Sequence, residues 1–269
     1  MNKKKYARAL TIAGSDSGGG AGIQADLKTF SALGCYGMSV VTAITAQNTV
    51  AVTAIQSIPP AMVASQIDAV ITDIGVDAVK IGMLQTPQII ETVARYLQNH
   101  SIKNIVIDPV MIAKSGDKLL NDDAVTALQE NLLPLALLIT PNIPEAEVLL
   151  GRKIDSRDAM TQVAQDLINS GFHSVLLKGG HLDDPECPDL FLEKGGEPQW
   201  VVAPRIETQN THGTGCSLSS AITARLAHGS TLHDAVTAGI SYIKEAISAG
   251  AEYELGKGHG PVHHFYKFW

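Results

Sequence analysis

The chain has 269 residues, of which 45% are hydrophobic and 5% aromatic, and a formal net charge of -7 at pH 7. This acidic balance argues against a general nucleic-acid binder, and no stretch approaches the roughly 20 apolar residues of a membrane span. The three cysteines lack C-x-x-C spacing, which argues against a disulfide framework or a zinc site and favours a reducing, cytoplasmic setting.

The first half of the chain alternates between predicted strands and predicted helices. A strand at 8–13 leads into the glycine-rich segment 14–22, and a helix follows at 23–33. Further strands are expected at 38–46 and 52–58, a helix at 61–72 and a strand at 78–81. Thr86 and Pro87 then have the residue types of an N-cap and a first helical position, so another helix begins there.

Polar side chains follow three predicted strands in the second half. The strand at 105–107 ends at Asp108, the strand at 135–140 precedes Asn142 and Glu145, and the strand at 175–177 ends at Lys178. In open parallel sheets the ligand crevice lies outside the carboxyl ends of the strands. We therefore expect one polar site at this edge of the sheet.

The alternation of strands and helices predicts an α/β protein with a mostly parallel sheet covered by helices. The sequence contains no internal repeat, low-complexity tract or linker that would divide it. We expect a single domain spanning residues 1–269.

The most informative motif is Asn210-Thr211-His212-Gly213-Thr214-Gly215-Cys216, which leads directly into a helix of small residues. Its two glycines allow close backbone approach, and a helix N-terminus attracts anions such as phosphate. The same helix start favours the thiolate of Cys216. These features suggest phosphoryl transfer, although a glycine-rich turn that only starts a helix has the same local pattern.

The first glycine-rich segment matches neither G-x-x-x-x-G-K-[ST] nor G-x-G-x-x-G, which disfavours a dehydrogenase. Asp16 and Asp26 could anchor a small polar ligand there. Equally, Asp16 could serve a turn or a cap, and Asp26 could benefit a helix N-terminus.

Several motifs together resemble the hydroxymethylpyrimidine/phosphomethylpyrimidine kinases of thiamine biosynthesis. They extend in unbroken order over nearly the whole chain, at 11–16, 19–29, 45–49, 80–84, 139–146, 178–181, 210–216 and 256–265. The resemblance implies a ribokinase-like three-layer α/β/α sandwich, ATP with Mg²⁺, and two successive phosphorylations of one pyrimidine. It also implies a homodimer.

By this resemblance, Cys216 is the base that takes the proton from the substrate hydroxymethyl group. A free cysteine has a pKa near 8.5, so we expect the helix N-terminus to lower the pKa of Cys216. Gly213, Thr214 and Gly215, with Thr211, are expected to hold the oxyanion that develops on the transferred group. The resemblance further assigns Lys178, Asn142 and Thr211 to ATP, and Asp108 and Glu145 to the metal through water.

The resemblance assigns five residues to the pyrimidine: Gln47, Asp26, Gly14, Met83 and Val110. The Gln47 amide has one donor and one acceptor, which match the ring nitrogen and exocyclic amine of an aminopyrimidine. Met83 and Val110 are expected to pack against the flat ring.

The polar stretch within 110–120 is hypothesised to be a flap that closes over the substrate. Two alternative functions stay open: a pyridoxine/pyridoxal kinase of the same superfamily, and a catalytically silent small-molecule sensor. The Gln47 neighbourhood favours the aminopyrimidine, and a sensor would be expected to have lost Cys216, Lys178 or a loop glycine.

Overall fold

The structure, a computed structural model, describes residues 4–111, 120–182 and 186–269. Its strands are β1 Ala7–Ala13, β2 Cys35–Val41, β3 Ala43–Gln47, β4 Val52–Ser57, β5 Ala78–Ile81, β6 Ile105–Ile107, β7 Leu138–Ile139, β8 Ser174–Leu177, β9 Glu186–Glu193 and β10 Gln199–Pro204. Its α-helices are α1 Gly22–Ala32, α2 Pro60–Asp73, α3 Pro87–Asn99, α4 Asp122–Ala127, α5 Ile143–Leu150, α6 Arg157–Asn169, α7 Thr214–Ala227 and α8 Leu232–Gly250.

Eight strands form one sheet in the order β10-β9-β8-β7-β6-β5-β1-β2. Within this sheet, β2, β1, β5, β6, β7 and β8 pair in parallel with their neighbours. β9 and β10 extend the sheet in antiparallel fashion. β3 and β4 form a separate antiparallel ribbon beside it. The prediction of a mostly parallel central sheet is confirmed.

Alternate residues of the central strands pack into two hydrophobic cores on opposite faces of the sheet. Val79 and Ile139 contribute to a core with α2 to α6, whereas Ala78 and Leu138 contribute to a core with α7 and α8. α1 covers the second face through Phe30. Because both faces are covered by helices, the three-layer α/β/α prediction is confirmed.

Two helix starts are defined by their sequence. The Thr86 side chain accepts a hydrogen bond from the Ile89 amide at the start of α3, as predicted. At α5, Asn142 and Glu145 form a reciprocal capping box, in which each side chain accepts from the backbone amide of the other. The capping box fixes two of the predicted site residues at the edge of the sheet.

Two predicted strands were wrong in extent. The segment 38–46 is divided at Thr42, whose amide donates to Ala13 O while its carbonyl accepts from Ile58, so the chain leaves the main sheet there. The segment 135–140 forms only the short strand β7, because Leu133–Leu135 adopts a 3-10 turn. Within the described ranges, none of the helices has the length and apolar character needed to cross a membrane.

Candidate active site

The backbone at the start of α7 lies against the first glycine-rich loop. Gly213 precedes the helix with φ of 78°, a conformation that side chains rarely adopt. A Cβ at Gly213 would overlap the carbonyl oxygen of Gly20. Only glycine permits this approach of residues 20–21 to the helix start.

The first amides of α7 are only partly used by the protein. The Thr214 amide donates to Thr211 O, and the Ser217 amide donates to Gly213 O. The first four N–H groups of a helix have no intrahelical partner, and among the described residues the amides of Gly215 and Cys216 donate to no backbone carbonyl. These two amides are therefore available to an anion.

Cys216 is half-buried in the first turn of α7, and its sulfur accepts a hydrogen bond from the Gly22 amide at the start of α1. Burial raises the pKa of the thiol to about 11, and the nearby positive charge of Lys80 only partly opposes this effect. The expectation of a lowered pKa was therefore wrong for this structure, because desolvation outweighs the favourable helix start.

Asp108 and Lys178 form an ion pair beside the same turn. Lys178 Nζ lies 2.7 Å from Asp108 Oδ1, and Thr140 Oγ1 donates to the same oxygen at 3.2 Å. Both charged groups approach Gly215, where a Cβ would lie 3.2 Å from Asp108 Oδ2 and 3.3 Å from Lys178 Nζ. The structure thus brings together Asp108, Lys178 and the α7 amides.

Glu145 is buried at the start of α5, where the backbone amides of Asn142 and Met111 donate to its carboxylate. Burial raises its pKa to about 7, Lys178 opposes the rise and Asp108 adds to it. The Asn142 side-chain oxygen accepts from the Glu145 amide at 2.9 Å. Burial therefore makes Glu145 easier to protonate than a solvent-exposed glutamate.

Two carboxylates of this site, those of Asp108 and Glu145, decide whether it can hold Mg²⁺. Asp108 and Glu145 offer the oxygen donors that Mg²⁺ prefers, and each feels the charge of Lys178. In the part of the chain that the structure describes, no group of three His, Cys, Asp or Glu could hold a metal ion. The residues present fit a metal that takes most of its ligands from water and phosphate.

Gly14, at the start of the first glycine-rich loop, is in contact with Met83. A Cβ at Gly14 would be 2.5 Å from Met83 Cε, so the thioether lies directly over the glycine. The Met83 carbonyl accepts from Thr42 Oγ1 at 2.7 Å, which fixes this turn. Val110 is partly exposed after β6, where its amide donates to Asp108 O.

The Gln47 side chain is held at the end of β3. Its Oε1 accepts from Thr45 Oγ1 at 3.2 Å, and its Nε2 lies 3.5 Å from His212 Nε2. Because His212 belongs to the segment that leads into α7, Gln47 is joined to the phosphate side of the crevice. This contact brings Gln47, predicted to bind the pyrimidine, next to the segment 210–216, predicted to bind phosphate.

Asp26 does not have the position predicted for it. Its carboxylate has no exposed surface and is bonded to Thr11 at 2.6 Å, Ser220 at 2.7 Å and Lys80 at 2.9 Å. All three partners are protein groups, so the carboxylate predicted to bind the substrate is bonded within the protein and has no surface open to a ligand. Asp26 lies beneath the crevice.

Three further residues of this region were given no firm role by the sequence. His212 and Asp16 form a 2.8 Å contact, and Lys80 is completely buried against Asp26. A lysine inside a predicted buried strand is itself an unusual signal, and it could have identified Lys80. The hypothesised flap falls mainly on residues 112–119, which lie outside the described residues.

Comparison with known proteins gives the same assignment as the motifs. The family model described as phosphomethylpyrimidine kinase matches residues 16–263. The chain belongs to this family. A hydroxymethylpyrimidine/phosphomethylpyrimidine kinase of Rhizobium meliloti (strain 1021) is 55% identical over 262 residues, covering 97% of this chain and 98% of the relative.

Solved structures agree with the family assignment. The crystal structure of phosphomethylpyrimidine kinase from Clostridium difficile 630 has a TM-score of 0.79 and 49% identity, and the match covers 89% of this chain and 99% of that one. An ADP complex of Bacillus subtilis pyridoxal kinase has a TM-score of 0.89 and 38% identity, and the match covers 97% of this chain and 98% of that one. The ribokinase-like fold and the resemblance inferred from the motifs are both confirmed.

Proposed function

We propose that this member of the phosphomethylpyrimidine kinase family transfers the γ-phosphoryl group of ATP to 4-amino-5-hydroxymethyl-2-methylpyrimidine and then to its monophosphate, in thiamine biosynthesis. The observation that carries the proposal is the start of α7, where the amides of Gly215 and Cys216 lie beside the Asp108–Lys178 pair. Phosphoryl transfer depends mainly on such positioning and charge stabilisation. A charged pair at an anion-binding helix start provides both.

In the proposed mechanism the residues divide between the two substrates. Lys178, Asn142 and Thr211 hold the phosphates of ATP, and the amides of Gly215 and Cys216 stabilise charge on the transferred group. The substrate oxygen forms its bond to the γ-phosphorus while the bond to the ADP oxygen breaks. The hydroxyl proton passes to the sulfur of Cys216, which acts as its thiolate.

Mg²⁺ would be held by Asp108 and Glu145, mainly through water, and would neutralise phosphate charge. Lys178 compensates the two carboxylates of this site. Burial would lower the pKa of Lys178, but Asp108 and Glu145 outweigh that effect and raise it, so the ammonium stays charged. A positive group is thereby kept next to the carboxylates at neutral pH.

The pyrimidine is proposed to lie between Gly14 with Met83 on one side and Val110 on the other. The Gln47 amide would pair with the ring nitrogen and the exocyclic amine. Thr45 donates to the Gln47 oxygen. The Thr45 hydroxyl shares its one proton with Ser15 O at 2.8 Å, and the nitrogen end of the Gln47 amide faces His212.

A pyridoxal kinase is the second candidate, because the ADP complex of that Bacillus subtilis enzyme shares the fold at a TM-score of 0.89. The test is ADP release, measured with the aminopyrimidine, its monophosphate and pyridoxal as separate substrates, with mass identification of each product. Faster turnover of the two pyrimidines supports the proposal. Faster turnover of pyridoxal reverses the order, and absence of ADP release with all three indicates a silent sensor.

A homodimer and a cytoplasmic location complete the proposal. Ile44, which is 53% exposed, lies on the same face of the β3–β4 ribbon as the exposed Ala46 and Ala54, which supports an apolar contact with a second copy. Light scattering of the purified chain measures its mass directly. A monomer at micromolar concentration would contradict the dimer.

A further inference from the structure

Lys80 is a completely buried lysine in the strand next to β1. Its ammonium lies 2.9 Å from Asp26, and neither side chain has any exposed surface. Thr11, its neighbour across the β1–β5 ladder, donates to the same carboxylate. A Cβ at Gly82 would lie only 2.8 Å from Lys80 Nζ, so a glycine leaves the space that the ammonium occupies.

The ion pair lies one helical turn beneath the thiol of Cys216. The Gly22 amide, at the start of α1, donates to the Cys216 sulfur. Asp26 and Ser220, each four residues further along its helix, hydrogen-bond to each other at 2.7 Å. Residues four apart share a helix face, so the buried pair occupies the next layer below the thiol.

We propose that Lys80, held in place by Asp26, is a positioning residue whose buried positive charge stabilises the thiolate of Cys216. The inference rests on the proposed role of Cys216 as proton acceptor. A hydrophobic residue of similar size would usually serve stability as well as a buried ion pair does. The retention of a charge at this depth therefore points to a role beyond packing.

The charged groups around Cys216 act in opposite directions. Burial raises the pKa of the thiol, Lys80 lowers it, and Asp26 and Asp108 raise it further. In turn, burial would lower the pKa of Lys80, but Asp26, Cys216 and Asp108 outweigh that effect and raise it. Among the described residues, Lys178 is a second cation whose charge interacts with that of Cys216. Lys80 thus stays charged next to the thiol.

In the reaction, the hydroxyl proton of the pyrimidine passes to the Cys216 thiolate as the new P–O bond forms and ADP leaves. The sulfur becomes a neutral thiol and later returns that proton to solvent. Lys80 keeps its own proton throughout. Its charge favours the thiolate form before transfer.

The test is the rate of alkylation of Cys216 by iodoacetamide at pH 9, without substrates, followed by mass spectrometry of its peptide. Only the thiolate reacts, so a rise of one unit in the pKa slows the reaction about tenfold at this pH. We compare the wild type with Lys80→Met, Asp26→Asn and the double variant. Alkylation of the buried Cys35 in the same samples monitors general unfolding.

We expect Lys80→Met to react about tenfold more slowly than the wild type, because the buried positive charge favours the thiolate. Asp26→Asn removes a negative charge and also the partner that keeps Lys80 charged, so it is expected to change the rate less. Where Lys80→Met fails to fold, slower alkylation of the double variant than of Asp26→Asn supports the proposal. Equal rates in the wild type and Lys80→Met, or faster alkylation of Lys80→Met, overturn it. Kinase turnover of the wild type on the pyrimidine tests the proposed function separately.

Discussion

His212 Nε2 lies 2.8 Å from Asp16 Oδ2 and joins the segment that leads into α7 to the first glycine-rich loop. The Asp16 carboxylate also accepts the backbone amides of Gly18, Gly20 and Ala21. The Asp16 side chain therefore organises the first glycine-rich loop and also contacts His212, which lies 3.5 Å from the Gln47 amide nitrogen. This arrangement predicts that His212 positions the pyrimidine site.

Replacement of His212 by alanine is expected to raise the KM for the pyrimidine about tenfold, with a smaller effect on the KM for ATP. A hydrogen bond to a charged group contributes about 1.5–3 kcal/mol, and about 1.4 kcal/mol corresponds to a factor of ten. Steady-state kinetics with each substrate varied in turn measures both values.

The matched control is His212→Gln, because the Nε2 of glutamine can occupy the place of the imidazole Nε2. We expect this variant to retain most of the pyrimidine affinity. Equal increases in both KM values in His212→Ala would contradict a role specific to the pyrimidine side.

Asp16 gives a pH-dependent contribution to stability. Burial would raise its pKa, but the hydrogen bonds from His212, Ala21 and Gly18 outweigh that effect and lower it. Since the unfolded carboxyl has a pKa of about 3.9, the stabilisation is present above that value and is lost as the pH falls through the lower folded pKa.

Asp16→Asn is accordingly expected to destabilise the protein by about 2 kcal/mol at neutral pH. The difference from the wild type should stay constant above about pH 5 and shrink below about pH 4. Urea unfolding of both proteins between pH 3 and pH 7 checks this. A difference that grows on acidification would show that the sign is wrong.

Gly213 is predicted to tolerate no side chain. In Gly213→Ala the new Cβ meets the Gly20 carbonyl and the backbone keeps an unfavourable φ, which alone costs about 1–2 kcal/mol. We expect a loss of activity of more than a hundredfold, since displacement of the α7 amides costs about 10²–10³ in kcat for one oxyanion donor.

Gly229→Ala is the control that separates the cost of backbone strain from the effect of displacing the α7 amides. Gly229 has φ of 84°, and a Cβ there meets nothing within 4 Å. This variant should show the backbone cost in thermal unfolding and retain its activity. Comparable loss of activity in both variants would show that strain alone accounts for the effect at Gly213.

The sequence was most informative where chemistry follows a buried strand. Asp108 and Lys178 directly follow β6 and β8. Because these strands run parallel, both residues lie at the same edge of the sheet, where they form an ion pair. The capping pattern of Asn142 and Glu145 is likewise local. Such features need only a few neighbouring residues to be visible.

The remaining features depend on contacts between distant segments. Lys80 and Asp26 are 54 residues apart, and His212 and Asp16 are 196 apart, so no local pattern joins them. The predicted direction of the Cys216 pKa shift was wrong, because the helix start is visible in the sequence and the depth of burial is not. β3 left the main sheet for a similar reason, since Thr42 is bound from both sides by distant residues.

Cys216→Ala is expected to impair the first phosphorylation at least tenfold more than the second. In the first reaction the nucleophile is an alcohol, and general-base assistance contributes typically about 10²–10⁴. In the second the nucleophile is a phosphate oxygen, which is largely deprotonated at neutral pH because its second pKa is about 6. Separate measurement of the two rates, each with the purified pyrimidine substrate, gives the ratio.

Cys187→Ala is the matched control, because Cys187 lies on β9 and is also only partly buried. It should leave the ratio of the two rates unchanged. Equal losses in both reactions of Cys216→Ala would assign the thiol a positioning role, since a group that only orients the substrate affects both nucleophiles alike. A larger loss in the second reaction would contradict proton transfer to the sulfur, because that nucleophile has little proton left to give.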